Sequence, residues 1–276
     1  ICAFKHFKRF RGDQDIAIED LTVGQMKDFQ SYLIGEGLRM NTISLYNREL
    51  RAVYNYALDE EIIQMDKRPF RKSFTGQEKT RKRAVDGGVV KRLAILSLID
   101  KEMLGFARDL FLFSIYMQGM PFIDMAYLKK EQVRNGCITY QRRKTNRQLR
   151  VKIHPQAQII IDRYMVSDPG CPYLFPILYD PEKKTEREYS SALRVYNKRL
   201  DSLSSLLELD EPLTSYVARH TWASLARQCG TSDTVISEAM GHSHVGVTTI
   251  YLASLDIGMV AMANQRVITS LFRKRI

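Results

Sequence analysis

Two amphipathic helices are predicted near the start of the chain. Thr22 is followed three residues later by Gln25, the spacing of a capping box, and apolar residues then recur at helical intervals until Gly35. Asn41 is a suitable cap for a second helix. The apolar face of that helix consists of Ile43, Tyr46, Leu50, Val53, Tyr54, Ala57 and Leu58. We therefore expect a small helical domain over residues 1–70.

The pattern becomes longer and mixed after residue 84. Asp86 can cap a helix, residues 106–119 are strongly apolar, and Pro121 suits the first turn of a short helix. Residues 137–142 and 148–153 are typical of two strands around a polar turn. Further helices are predicted over 155–166, 189–209, 215–229, 232–240, 247–252 and 256–273. The expected fold class is mainly α with a small β-hairpin or sheet.

The composition excludes several classes of protein. The chain has 276 residues, and 45% of them are hydrophobic, which excludes a disordered tail, a collagen-like fibre and a disulfide-stapled miniprotein. No run of about 18 apolar residues is present, so we expect no transmembrane helix. The four cysteines lie far apart and none forms a Cys-x-x-Cys pair, which favours a reducing compartment. Because the chain begins with Ile1 rather than Met, we expect a further segment upstream.

The positive charge is concentrated in two stretches. The formal net charge is +11, which favours a polyanionic partner, with nucleic acid ahead of an anionic membrane surface. The first stretch, 67–83, has eight basic residues against one acid, and we interpret 71–83 as a basic interdomain linker. The second stretch, 129–152, has nine basic residues against one acid. Two separate basic stretches favour an extended anion such as DNA, which is contacted mainly through its phosphates.

Motifs for metals and nucleotides are weak in this sequence. It lacks the glycine-rich loops of P-loop and dinucleotide-binding proteins and the acidic loop of calcium sites. His242 and His244 have no thiolate or carboxylate at ligand spacing. We therefore predict no metal site.

The most informative residues lie on the hairpin and in the last quarter of the chain. Arg219 and His220 fall in the first turns of a predicted helix, where backbone N–H groups and the helix dipole favour an anion. His242 follows the glycine that ends the next helix, and Tyr251 lies nine residues later. Lys144 lies at the tip of the hairpin. Each residue alone has an ordinary explanation as an ion pair, a cap or a solvated turn, but their order and spacing favour one shared site.

This pattern resembles that of the tyrosine recombinases, also called phage-type integrases. Arg219-His220 matches the Arg-His pair of that family, Gly241-His242 and Tyr251 match its Gly-His and nucleophilic Tyr, and Lys144 matches its hairpin Lys. The resemblance implies a two-domain DNA clamp. Residues 1–70 correspond to a SAM-like core-binding domain, and 84–276 correspond to the catalytic domain with a C-terminal helix.

The resemblance also implies a mechanism. Tyr251 would attack a DNA phosphodiester and form a 3′-phosphotyrosyl bond, while Arg219 and His242 stabilise the phosphate and Lys144 protonates the leaving oxygen. Because the covalent bond conserves the energy of the phosphoester, the reaction needs no cofactor. The expected function is site-specific recombination of DNA for the integration or excision of a mobile element.

Two positions depart from the usual family pattern. Pro121 stands where the family normally has the first catalytic Arg, and Tyr216 stands where it has His. The variant first position resembles the integrases of conjugative elements from gut anaerobes. Tyr216 is a poor general base at neutral pH, so we expect it to orient groups by hydrogen bonding.

Arg142 is the expected replacement for the missing guanidinium. Side chains repeat with period two along a strand, so Arg142 and Lys144 are predicted to share a face while Arg143 points away. Arg108 and Arg147 are weaker candidates for the same role.

The expected partner is double-stranded DNA. The residues predicted to bind it are Arg48, Arg51, Arg81, Lys82, Arg83, Arg147 and His220. The resemblance further implies a homotetramer on two DNA sites, formed from a chain that is monomeric in solution, with the tail helix docked on a neighbouring protomer. Accessory DNA-bending proteins and a location at the bacterial nucleoid in the cytoplasm are also expected from it.

Two other functions compete with this interpretation. A type IB topoisomerase uses similar Arg, Lys, His and Tyr residues to relax DNA, although the helical domain ahead of the linker favours a recombinase. A DNA-binding regulator with a decayed active site is supported by the missing first Arg. The joint presence of Tyr251, Lys144, Arg219 and His242 argues against such decay.

Overall fold

The computed structural model describes residues 2–12, 14–78, 84–180, 182, 185–241 and 257–272, and it divides the chain into two units, Ile1–Arg81 and Lys82–Ile276. The first unit contains the helices α1 (Cys2–Phe10), α2 (Val23–Gly35) and α3 (Met40–Asp59). The predicted capping box is present at the start of α2. Thr22 Oγ1 accepts a hydrogen bond from Gln25 N at 3.2 Å, and Gln25 Oε1 accepts one from Thr22 N at 2.9 Å.

The core of the first unit lies between these helices. Phe29 and Leu33 of α2 pack with Ile43 of α3, and all three are fully buried. Two details of the predicted second helix were wrong. Asn41 lies inside α3 and does not cap it, because the helix already begins at Met40. Val53, which was assigned to the apolar face, is 58% exposed.

Polar side chains of α3 bind an extended segment that follows it. Asn47 Nδ2 donates to Phe74 O (3.0 Å), and Ser44 Oγ donates to Gly76 O. Asn41 both donates to Glu78 O and accepts from Glu78 N, at 2.9 and 2.7 Å. Residues 71–78, predicted as the first part of the linker, are therefore held against α3 within the first unit.

The second unit is built around a central apolar helix, α5 (Glu102–Tyr116), whose side chains are buried from Leu110 to Tyr116. Its other helices are α4 (Gly87–Ile95), α6 (Phe122–Ala126), α7 (Pro155–Tyr164), α8 (Tyr189–Leu206), α9 (Val217–Gln228), α10 (Asp233–Ala239) and α11 (Ile257–Phe272). Asp86 caps α4 as predicted, because its carboxylate accepts from Gly88 N and Val89 N at 2.6 and 3.1 Å.

A small antiparallel sheet covers one side of this core. Its strands are β1 (Val133–Arg134), β2 (Cys137–Gln141) and β3 (Gln148–Lys152), in the order β1-β2-β3. Ile138 pairs with Val151 and Tyr140 with Leu149, and these four side chains are buried. A separate short pair is formed by β4 (Tyr179–Asp180) and β5 (Thr185–Glu186). The predicted fold class, mainly α with a small sheet, is confirmed.

The last helix, α11, packs on its own unit, and the docking of this tail helix on a neighbouring protomer stays a prediction. Val267 and Ile268 belong to the core of the unit, and both are almost completely buried. Asn264 accepts a hydrogen bond from Trp222 Nε1 at 3.1 Å and donates to Tyr116 O at 2.6 Å. A single buried amide therefore joins α11 to α9 and α5. None of the described helices is long and apolar enough to cross a bilayer.

Replacing Asn264 with Ala is expected to destabilise the second unit by about 2–3 kcal/mol, because the Trp222 N–H and the Tyr116 carbonyl would remain buried without their partner. Denaturant unfolding monitored by fluorescence of the single Trp measures the change. Gln265→Ala is the matched control, since Gln265 is an exposed residue of the same helix. Equal stability of the two variants would contradict the prediction.

Candidate active site

Arg219 is held in the interior of the second unit by backbone carbonyls. It lies in the first turn of α9 and is only 2% exposed. Its Nη1 donates to Gly119 O at 2.8 Å, and its Nη2 donates to Met240 O at 2.6 Å. The guanidinium is therefore fixed between the turn after α5 and the end of α10.

Arg142 enters the same region from the sheet. It is the first residue after β2 and is 5% exposed. Its Nη1 donates to Gly241 O at 2.9 Å, so Arg142 and Arg219 bind the carbonyls of two consecutive residues, Gly241 and Met240. The two buried guanidinium groups therefore bind the backbone immediately before His242 in the sequence.

Asp124 supplies the negative charge beside the two arginines. It is buried in α6, its Oδ1 accepts from Arg143 N at 3.0 Å, and its Oδ2 lies 4.0 Å from Arg142 Nε. Burial raises the pKa of Asp124, while Arg142 and Arg219 act in the opposite direction. Burial and the neighbouring Arg142 lower the pKa of Arg219 to about 10, so Arg219 remains charged at neutral pH.

Two glycines allow the backbone to approach the arginines closely. Gly119 has φ of +72°, and a Cβ at this position would lie 3.1 Å from the Cα of Arg219. Gly241 has φ of +63°, and a Cβ there would lie 3.2 Å from Cδ of Arg142. A side chain at position 119 would crowd Arg219, and one at position 241 would crowd both Arg142 and Leu149.

Lys144 lies in the turn between β2 and β3, and it is exposed. The period-two argument that placed Arg142 and Lys144 on one face was wrong, because β2 ends at Gln141 and both residues lie in a six-residue turn. Arg142 is buried while Lys144 faces outward. Arg143 is exposed as predicted, and its guanidinium lies 3.8 Å from the centre of the Tyr127 ring.

The weaker arginine candidates have other partners. Arg108 donates to Asp109 and to Leu96 O, at 2.7 and 2.8 Å. Arg147 forms an ion pair with Glu238 of α10. Sequence reasoning missed Glu238, since a lone glutamate on a helix carries no signal of a distant partner.

Tyr216 and His220 lie at the edge of the site. Tyr216 precedes α9 and is 47% exposed, and its ring packs edge-to-face on His220 with 4.7 Å between the ring centres. Both line a depression with Arg219, Met240 and Ser237. Tyr216 therefore shares this depression with Arg219.

The remaining predicted residues fall into two groups. Arg48 and Arg51 are exposed on α3 in the first unit. His242, Tyr251, Arg81, Lys82 and Arg83 lie outside the described residues. Among the residues that the structure describes, no three His, Cys, Asp or Glu side chains are grouped to hold a metal ion.

Comparison with known structures shows which proteins share this fold. The integrase of the Tn1549 transposon, in complex with transposon right end DNA, is 13% identical with a TM-score of 0.69 and covers 97% of this chain and 93% of that one. A lambda integrase dimer bound to a core site is 14% identical with a TM-score of 0.65, and the match covers 92% of this chain and 87% of that one. A lambda integrase tetramer bound to a Holliday junction is 16% identical with a TM-score of 0.65, and the match covers 92% of this chain and 71% of that one. A comparison with curated proteins gives no significant match.

Family models match both units of the chain. The phage integrase SAM-like domain matches residues 2–74, and the phage integrase family matches residues 92–256, which is more than half of the chain. The second match includes Arg142, Lys144, Arg219, His242 and Tyr251. The chain therefore belongs to the phage integrase family of site-specific tyrosine recombinases, enzymes that break and rejoin DNA.

Proposed function

We propose that Tyr251 attacks a DNA phosphodiester at a site where Arg219 and Arg142 form the phosphate clamp. The observation that carries this proposal is the convergence of two buried guanidinium groups on the carbonyls of Met240 and Gly241, directly before His242. A scissile phosphate brought to this point would meet two permanent positive charges. Arg142 thereby supplies the second guanidinium group, which Pro121 cannot provide.

The clamp works by stabilising charge that develops during attack. Negative charge grows on the non-bridging oxygens as the nucleophile adds, and guanidinium groups are suited to it because they are planar, always charged and bidentate. Low exposure of Arg219 and Arg142 strengthens the effect, because little water screens them. His242 adds a hydrogen bond to the same oxygens, and Tyr216 orients the groups around them.

Lys144 serves as the general acid. As the Tyr251 oxygen bonds to phosphorus, its phenolic proton passes to solvent water. The bond between phosphorus and the 5′-oxygen breaks, and that oxygen needs a proton as it leaves. Lys144 is exposed on the turn of the hairpin, so its flexible side chain can reach a substrate that lies outside the core. Rejoining reverses these steps when a 5′-hydroxyl attacks the phosphotyrosyl bond.

The biological reaction we propose is integration or excision of a mobile element. Solved structures of similar fold include a transposon integrase with transposon right end DNA and a lambda integrase tetramer on a Holliday junction. By analogy, four copies of this chain would act on two DNA sites, with accessory DNA-bending proteins where the sites need them. Arg48, Arg51, Arg81, Lys82, Arg83 and His220 would add contacts to DNA.

A nicked suicide substrate tests the proposal. The duplex carries the ends of the chain's own element and a nick close to the cleavage site. Cleavage then releases a short strand, so religation is prevented and the covalent protein–DNA bond is trapped. We expect a covalent adduct and a free 5′-hydroxyl. Binding without any adduct would favour the decayed regulator, and relaxation of plasmids without recombination between sites would favour the topoisomerase.

A further inference from the structure

The turn that carries Lys144 is attached to the end of α10 at two points. Arg147 forms an ion pair with Glu238, whose side chain lies one turn before Gly241. Thr145 Oγ1 donates to Gly241 O at 3.2 Å, the same carbonyl that accepts from Arg142. The turn is therefore anchored on both sides of Lys144, at Arg142 and at Thr145 and Arg147.

Hydrogen bonds within the turn make it a defined structure. Arg142 N donates to Arg147 O at 2.8 Å, and the N–H groups of Thr145 and Asn146 donate to Arg142 O at 3.2 and 2.7 Å. Asn146 has φ of +53°, a conformation that Asn adopts more readily than most residues. Movement of Arg147 would therefore be transmitted to the backbone of Lys144.

We propose that Glu238 is a positioning residue that acts through Arg147 to hold Lys144 in place for proton transfer. The inference rests on the proposed role of Lys144 as general acid. A lysine on an exposed turn has four flexible side-chain bonds, so its amine reaches the leaving oxygen only if its backbone is fixed. Misplacement of a catalytic group by about 1 Å can cost on the order of 100-fold in rate.

The environment of the ion pair supports this role. The side chains of Arg147 and Glu238 are 37% and 30% exposed, so the pair is less screened than one on the open surface. Glu238 also neutralises Arg147, which we had predicted to bind DNA. The pairing points to a structural use of this arginine within the hairpin, and contact with a DNA phosphate is the alternative that the experiment distinguishes.

A substrate with sulfur in place of the bridging 5′-oxygen isolates the general-acid step. Tyr251 still loses its phenolic proton to solvent water and forms the bond to phosphorus, while the P–S bond breaks and its electron pair leaves with sulfur. A thiol has a pKa of about 8.5, so the thiolate departs without a proton from Lys144. We expect Glu238→Gln and Lys144→Ala to cleave ordinary DNA about 10- to 100-fold more slowly than the parent chain and to approach the parent rate on the sulfur substrate.

Two further variants control for folding and charge. Asp233 lies on α10 with Glu238, and it forms an ion pair with Arg227 of α9. Asp233→Asn removes this ion pair without changing the hairpin, and it should cleave both substrates at the parent rate. The double exchange Arg147→Glu with Glu238→Arg restores an ion pair in reverse order. We expect this double variant to recover at least about half of the cleavage rate on ordinary DNA that either single change removes.

The outcomes separate this inference from the proposed function. If Lys144→Ala is equally slow on both substrates, Lys144 is not the general acid and the proposed function fails at that residue. The second case is that Lys144→Ala regains the parent rate on the sulfur substrate but Glu238→Gln does not, or that Glu238→Gln cleaves ordinary DNA at the parent rate. Either result overturns only the positioning role of Glu238. Weaker DNA affinity in Arg147→Ala, together with parent-like cleavage in Glu238→Gln, would identify Arg147 as a phosphate contact.

Discussion

Replacing Tyr251 with Phe is expected to abolish the covalent protein–DNA adduct while DNA affinity stays within about twofold of the parent. Phenylalanine keeps the ring and loses only the oxygen that would bond to phosphorus, so position 251 can no longer form the phosphotyrosyl bond. Removal of a catalytic nucleophile typically lowers rates on the order of 10⁴-fold or more. A denaturing gel with the suicide substrate measures the adduct, and a mobility-shift titration at fixed salt measures binding.

A matched control separates loss of the nucleophile from loss of the fold. Tyr173→Phe makes the same chemical change at a tyrosine that packs on the core of the second unit, and it should form adduct normally. An adduct that persists in Tyr251→Phe would show that another residue attacks the phosphate. The exposed Tyr216 would then be the first alternative to test.

Much of the fold could be predicted because its signals are local. The capping box at Thr22, the cap at Asp86 and the alternation of the two strands depend on residues within a few positions of one another, and each is present in the structure. Such signals record the preferences of short segments, which the folded chain preserves. The α5 helix was predictable for a related reason, because an almost continuous apolar segment can only be stable in the core.

Contacts between distant segments could not be predicted in the same way. Asn41 has the residue type of a helix cap, yet its amide binds Glu78, 37 positions away. The segment 71–78 has the composition of a linker, but polar groups on α3 satisfy its backbone. Composition describes how a segment behaves alone, and it does not identify the partner that the fold supplies.

The site contains one arginine that the sequence could identify and one that it could not. Arg219 was predictable from the motif that surrounds it. Arg142 was selected by a strand argument that the structure contradicts, and it lies beside Arg219 because its turn folds back onto Gly241. Its assignment as the second clamp therefore depends on the observed contacts and stays a prediction.

Replacing Arg142 with Ala is expected to lower the cleavage rate about 10²- to 10³-fold, because one of the two groups that neutralise the phosphate would be lost. The change also leaves the Asp124 carboxylate buried beside fewer cations, which could unfold the chain and imitate a catalytic defect. Arg142→Ala combined with Asp124→Asn removes that uncompensated charge and should remain slow. Arg143→Ala, at an exposed neighbour in the same turn, should cleave within about threefold of the parent.

Restoring an arginine at position 121 tests whether Arg142 replaces the missing clamp. Pro121 has φ of −63° and ψ of 150°, which arginine adopts without strain, and it lies immediately before α6, three residues from Asp124. In the Arg142→Ala background, Pro121→Arg should recover about tenfold of the lost rate. The new guanidinium would lie two residues from Gly119, whose carbonyl binds Arg219. The same Pro121→Arg change with Arg142 present should add little, since the phosphate already has two clamps. Equal gains in both backgrounds would mean that the two positions act independently, and that Arg142 has a different task.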